Sequence, residues 1–202
     1  MTGLLEGNVS HVSINQRETF KVLDTRWKSA CRILFKEDIG ELGDYVHWLS
    51  ENIEPINART STLSAKEVIS APTAYCSDSR WMSFDEIDFN KKFEPLNINE
   101  IKDVDSLVGA LSERFYYTGN IFFGQCSNIE RSSNINDSFF IYNTGRFGNS
   151  KYLAYCTIGR QNEDCFGCNA LSESAMCIMC SRSHKNKRCF EVWMSQNCSD
   201  VY

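Results

Sequence analysis

Apolar and small side chains recur every twelve residues through the C-terminal part of the chain. The column Tyr117, Ile129, Ile141, Leu153, Cys165, Cys177, Cys189, Val201 is apolar throughout and runs without insertion or deletion. Three residues on, Ser132, Thr144, Cys156, Cys168, Cys180 and Val192 are all small. Three residues back, Cys126, Ser138, Ser150, Asn162, Ser174, Asn186 and Cys198 are small and mostly polar. A fixed period held over about seven units marks a repeat architecture. Helical supercoils repeat on about seven or eleven residues, and the segment is rich in Ser, Asn, Cys, Thr and aromatics, which are poor helix formers. Short strands of about three residues joined by tight turns fit instead. Their stacking gives a parallel β-solenoid with coils about 4.8 Å apart.

The column Gly124, Asn136, Gly148, Arg160, Ser172, His184 has turn chemistry. A coil holds either one repeat or two. The small column favours the narrow coil, whereas the bulky column Tyr142, Phe166, Ile178, Phe190, Tyr202 favours the wide one. Leu153 and Ala154, or Cys165 and Phe166, are sequence neighbours and face opposite sides of a strand. One column therefore fills the interior, and the other makes an apolar outer face that calls for a cover.

Before residue 116 the pattern changes. Phe20, Leu23, Trp27, Ala30, Cys31, Leu34 and Phe35 recur at helical spacing and predict a helix over residues 18–35. Ile39, Leu42, Val46, Leu49 and Ile53 predict a second, weakened at its start by Gly40 and Gly43, and the two could pair as a helical hairpin. Residues 54–97 read as irregular, with strand-like pieces at Val68–Ile69 and Trp81–Phe89. A third helix starts at an Asp103 or Asp105 cap and turns Val104, Leu107, Val108 and Leu111 inward. The expected fold class is α+β: an α-rich domain over residues 1–115 that caps a β-solenoid over residues 116–202.

Charge and composition narrow the function classes. Residues 1–115 carry 13 basic against 19 acidic side chains, a balance of −6, and residues 116–202 carry 8 against 7. Neither part has the basic excess of a phosphate-tracking surface, so a nucleic-acid partner is not expected. No apolar run approaches the roughly 18–20 residues of a membrane span, and the first residues lack an export signal. A cytoplasmic protein is the expectation, with its ten cysteines as thiols.

The sharpest candidate chemistry is CFGCNALSESAMCIMC. Two CxxC pairs, Cys165 with Cys168 and Cys177 with Cys180, could hold zinc as four thiolates. The same residues occupy two repeat columns that continue into Leu153 and Val192. A ligand set has no reason to do that; a small apolar packing position does, because free Cys behaves as a small hydrophobe. Disulfides between adjacent coils are a third reading, since stacked Cα atoms fall within disulfide range.

For catalysis, His11, His47 and His184 are the histidines. His47 reads as a partly buried structural residue and His184 as an exposed turn residue, leaving a Cys180–His184 pair as the nucleophilic option. Asp85, Glu86 and Asp88 read as a solvated acidic loop, and the run from His184 to Arg188 as a charged turn. Scattered acids, Glu130, Glu163, Asp164, Glu191 and Asp200, are all that supports a carbohydrate-active solenoid enzyme.

The xxCxxC units following a helical part resemble uncharacterised Cys- and aromatic-rich repeat proteins of archaea and uncultured bacteria. The resemblance covers about residues 116–202 and implies an architecture but no activity. The period with interior Cys and Ser is also similar to that of an insect antifreeze β-helix, but the outward threonine ladder is missing and ice binding is not implied. The leading reading is a non-enzymatic scaffold or protein-interaction module without a cofactor. Its expected contact is a protein partner, or a second copy, at the C-terminal edge of the solenoid, where the apolar column runs on to Val201.

Overall fold

The first helix forms where the apolar spacing predicts it. In a computed structural model, which describes residues 18–202 apart from 72, 73, 77 and 113, α1 spans Glu18–Phe35 and buries Phe20, Leu23, Trp27, Ala30, Cys31 and Leu34 along one stripe. His11 lies outside the described residues. The second helix is shorter than its pattern: a 3-10 turn, Leu42–Tyr45, leads into α2, Val46–Ser50. Gly40, at φ +117°, holds the preceding chain in a conformation that other residues rarely adopt.

The segment that reads as irregular contains a hairpin. β1 (Asn57–Thr60) pairs antiparallel with β2 (Glu67–Ser70), and β3 (Trp81–Ser83) pairs in parallel with β4 (Tyr117–Gly119), the strand that leads into the solenoid. A Cβ on Gly119 would overlap the Ile69 carbonyl, so the hairpin sits tightly on that first strand. Between them, α3 spans Val104–Ser112. Asp103 is its cap: its Oδ1 accepts from Ser106 N at 2.8 Å, and its own N–H donates to Ser106 Oγ at 3.0 Å. The expectation that α3 turns an apolar face to a core is corrected, because Val104 and Val108 are 73% and 53% exposed and no residue of α3 is buried. Leu107 and Leu111 are only half-buried, and Val108 lines a concavity with Cys76, Arg80 and Tyr116.

The solenoid follows as β5 (Phe122–Phe123), β6 (Ser127–Glu130), β7 (Ser133–Asn136), β8 (Phe139–Tyr142), β9 (Gly145–Gly148), β10 (Lys151–Ala154), β11 (Ile158–Arg160), β12 (Glu163–Phe166), β13 (Ala170–Ser172), β14 (Met179–Cys180) and β15 (Glu191–Val192). Alternate strands build two parallel sheets, β6-β8-β10-β12 and β5-β7-β9-β11-β13. Ile129 pairs with Ile141, Ile141 with Leu153, and Leu153 with Cys165. One coil therefore takes twelve residues, and the wide coil is set aside. At the start the register slips by one: Phe122 faces Ile135, so Tyr117 falls outside the column it shares by sequence.

The backbone explains how so few residues close a coil. From Asn128 to Tyr155 every third residue has positive φ, between 43° and 60°, and the pattern resumes at Gln161, Asp164, Gly167, Glu173 and Met176. Each left-handed residue bends the chain, so four short sides enclose a narrow interior. The turn column is thereby corrected: Asn136, Gly148, Arg160 and Ser172 end strands, and the left-handed turns fall one residue later, at Asp137, Asn149, Gln161 and Glu173. A non-glycine residue in this region costs about 1–2 kcal/mol, less for Asn and Asp. Asn149, exposed at φ 51°, tests this. Asn149→Gly is expected to leave stability within about 0.5 kcal/mol, and Asn149→Val to lose about 1–2 kcal/mol, read from urea midpoints. Equal midpoints for the two variants would contradict the assignment.

Inside, one column runs Ile129, Ile141, Leu153, Cys165, Cys177, Cys189, and Ile135 and Phe147 pack beside it. The hydroxyl residues of the polar columns are bonded from coil to coil. Ser150 N donates to Ser138 Oγ at 3.1 Å and Asn162 N to Ser150 Oγ at 3.1 Å, while each serine hydroxyl donates to the carbonyl two residues before it. Thr144 does the same between Ser132 and Cys156. Small hydroxyl residues are required here because the interior has room for little else and buried backbone groups need partners.

The apolar outer column is covered by α1. Tyr142, Ala154, Phe166 and Ile178 share a buried cluster with Phe20, Leu23, Trp27, Ala30 and Leu34. Trp27 meets Phe166 edge-on at 5.5 Å, Phe20 meets Tyr142 at 5.1 Å, and Phe35 meets Phe190 at 4.7 Å. The helix lies along the flank of the solenoid rather than across its end, which corrects the expectation of a helical end cap. The physical reason is area: a column of bulky side chains one residue from the interior offers α1 a far longer apolar strip than one terminal coil.

Candidate functional site: the sulfur ladder and the last coil

The cysteines of the two CxxC pairs are brought together, and two more join them. Cys156, Cys165, Cys168, Cys177, Cys180 and Cys189 are buried in the solenoid interior. They occupy two adjacent rails, Cys165–Cys177–Cys189 and Cys156–Cys168–Cys180. They pack in one buried cluster, in which Cys165 and Cys177, Cys168 and Cys180, and Cys177, Cys180 and Cys189 shift one another's titration. The result is a continuous ladder rather than an isolated tetrad. Among the described residues no group of three or more His, Cys, Asp or Glu side chains is arranged to hold a metal ion.

The thiols differ in character. Burial pushes Cys165 and Cys168 well above the ordinary thiol range. Cys180 and Cys189 are also raised, first through hydrogen bonds with Cys168 and Cys177 respectively. Cys177 goes the other way. The neighbouring thiols, Cys165 first and then Cys180 and Cys189, lower its pKa against its burial. Asn186 Nδ2 donates to its Sγ at 3.2 Å, and the thiol itself reaches the Lys187 carbonyl at 3.8 Å. Cys31, in the α1 cluster, is pushed up to about 12 by burial.

The other candidates are used structurally or lie apart. His47 is exposed on α2 rather than partly buried. His184 is exposed whereas Cys180 is buried, so this structure does not assemble a Cys–His pair there. Asp85 pairs with Lys66 at 2.5 Å, Glu86 Oε2 accepts from Ser61 Oγ and Ser83 N at 2.7 Å each, and Asp88 Oδ1 accepts from Asn90 N at 2.9 Å. The acidic loop folds on itself. Of the scattered acids, Glu163 lies 3.0 Å from Lys151, and Asp164, 5% exposed, is held by Arg26, whose Nε donates to Oδ1 at 2.6 Å while Nη2 donates to Oδ2. Glu130 Oε1 accepts from Thr19 N at 3.3 Å. These carboxylates tie α1 to the solenoid rather than facing each other across a cleft.

The last coil is built differently. β14 and β15 form a separate two-stranded ladder, with Cys180 opposite Val192. Beyond it Trp193, Met194 and Tyr202 are 57%, 73% and 71% exposed. A concavity of about 660 Å³ lies beside them, lined by Arg182, Ser183, His184, Met194, Ser195 and Gln196. Sequence reasoning placed an open edge here and missed this concavity. Its lining residues are column partners, Arg182 with Met194, Ser183 with Ser195 and His184 with Gln196, and only the serine pair, bonded at 3.0 Å, keeps the same chemistry.

The chain matches no protein family, no curated protein and no solved structure. No helix among the described residues is long and apolar enough to cross a membrane.

Proposed function

We propose that the chain is a non-enzymatic interaction module of the cytoplasm whose contact surface is the last coil of the solenoid, and that a second copy docks there. The observation that carries this reading is the exposure of Trp193 and Met194, which follow directly on β15, a strand hydrogen-bonded to β14 alone among the described strands. A one-sided strand next to large apolar side chains is suited to β-strand addition, in which main-chain hydrogen bonds give affinity and side chains give register. The helix, the hairpin and the buried column would then serve as a rigid mount.

Sedimentation velocity at tens of micromolar is expected to show concentration-dependent association. Trp193→Lys is expected to return the protein to monomer with its circular dichroism unchanged. A clean monomer of the natural sequence across that range would overturn both the open edge and the scaffold built on it.

Metal analysis separates this reading from the alternative, a zinc module with Cys165, Cys168, Cys177 and Cys180 as ligands and a regulatory or nucleic-acid role. One zinc per purified chain, lost on Cys168→Ser, would promote that alternative. A third class, a carbohydrate-active solenoid enzyme, is tested by a screen for polysaccharide cleavage.

A further inference from the structure

The cysteines are not spread evenly along the interior. In the first coils the two rails hold Ile129, Ile141 and Leu153 on one side and Ser132 and Thr144 on the other. Sulfur takes over from Cys156 onward, where the backbone ladder thins. Strands β6 to β10 and β12 have four residues each, β11 and β13 have three, and β14 and β15, in the last coils, have two. Shorter strands therefore hold the last coils, which carry Cys177, Cys180 and Cys189. Those coils open locally more easily than the middle of the solenoid.

We propose that the sulfur ladder is a site of reversible oxidation, in which side-by-side disulfides Cys165–Cys177 and Cys168–Cys180 clip one coil to the next. Three observations support these pairs. First, the inter-coil bond from one residue's N–H to the carbonyl eleven residues on repeats through this boundary, as Phe166 N to Cys177 O at 3.2 Å and Asn169 N to Cys180 O at 3.1 Å. The rails therefore stay in register, and same-rail Cα atoms lie about 4.8 Å apart, inside the roughly 4.4–6.8 Å that a disulfide spans. Second, all four thiols lie in one buried cluster, and each shifts the titration of its partner. Third, Asn186, 3% exposed, donates its amide to Cys177 Sγ, so the sulfur that would react first is held in place by a hydrogen bond suited to a thiolate.

The oxidant is hydrogen peroxide, small enough to enter when the thin coils open. The Cys177 thiolate takes one oxygen from peroxide and becomes a sulfenic acid, releasing hydroxide. The Cys165 sulfur then attacks that sulfur and the hydroxyl leaves. With the two thiol protons counted, two thiols and one peroxide give one disulfide and two waters. Cys168 and Cys180 follow more slowly with a second peroxide, because both thiols are raised and offer less thiolate. A thiol reductant reverses both.

The test treats the folded full chain with hydrogen peroxide, alkylates it in denaturant and cleaves it after acidic residues. Cleavage at Asp164, Glu173 and Glu191 puts Cys165 and Cys168 on one peptide and Cys177, Cys180 and Cys189 on the next. The expected product links these two peptides, with four of the ten thiols lost and restored by dithiothreitol. Tryptic cleavage after Arg182 and Lys185 should slow about tenfold or more in the oxidised protein. Cys189→Ala is expected to keep the link. Cys165→Ala/Cys177→Ala, checked for native circular dichroism, should lose two thiols on oxidation, through Cys168–Cys180. The proposal is overturned if all ten thiols survive, if disulfides form within each CxxC, or if the links run through Cys76, Cys126 or Cys198.

Discussion

Trp27→Ala is expected to lose about 4 kcal/mol of stability, within the roughly 3–5 kcal/mol seen for truncating a large buried aromatic. Trp27 is fully buried under the centre of the flank, edge-on to Phe166 and 5.2 Å from Tyr45, and its Nε1 donates to Gly40 O at 3.1 Å. Truncation opens a cavity between α1 and the outer column and leaves the Gly40 carbonyl without that donor. Because α1 contacts successive strands of one sheet, from β6 to β12, the loss should appear as one shifted transition in urea, the same by helical circular dichroism and by tyrosine fluorescence. A loss below about 1 kcal/mol, or a helix that melts well before the solenoid, would show that the flank contact is not part of the cooperative unit.

The second large effect is at the ion pair that fixes the register of α1. Arg26→Ala is expected to lose about 2–3 kcal/mol, at or below the lower end of the range for breaking a buried pair because the Arg26 side chain is 37% exposed. Burial pushes the Asp164 carboxyl above its ordinary value, and the bonds from Arg26 pull it back only in part. Removing Arg26 leaves that carboxylate buried and without its guanidinium. The sign of the pH effect follows. With a folded-state value raised above the unfolded one, the native state binds more protons in the window between the two, and stability falls as pH rises through it. In Arg26→Ala the window widens upward, so the variant should recover stability on mild acidification more strongly than the parent. Arg26→Ala/Asp164→Asn should restore most of the loss at neutral pH, because an amide needs no counter-charge and Asn tolerates the φ of 57° at that position. No recovery in the double variant would assign the loss to the Arg26 guanidinium stacked over Tyr152, 4.5 Å from the ring centre, rather than to the unpaired Asp164 carboxylate.

Much of this architecture is legible along the chain because it is local and periodic. The interior columns through Ile141, Leu153 and Cys165, and through Ser138, Ser150 and Asn162, can be counted directly. So can α1, whose apolar residues keep helical spacing from Phe20 to Leu34. The CxxC pairs illustrate where local reading divides. Their spacing is that of a zinc tetrad and equally that of two packing rails. The fold places them on a ladder with Cys156 and Cys189, whose sulfurs the zinc pattern leaves out.

What twelve residues can enclose was decided by the backbone. Left-handed corners at Arg131, Phe140 and Tyr152 are not favoured by those residue types, and no propensity argument would place them there; closure of the coil and its hydrogen bonds to the coils above and below hold them. The place of α1 was likewise a tertiary decision. Its stripe announces burial against something, and the column Tyr142, Phe166, Ile178 announces a need for cover, yet neither names the other. Apolar surface is non-directional, so only the competition between all available faces selects the pairing. The same competition left Val104 and Val108 of α3 exposed and Leu107 and Leu111 only half-buried. The sequence by itself therefore determined the repeat, its inward columns and the first helix, all set by neighbours a few residues or one coil away. The tertiary structure decided the twelve-residue closure, the flank on which the helix lies and the sulfur contacts, because each depends on surfaces that meet only when the whole chain is folded.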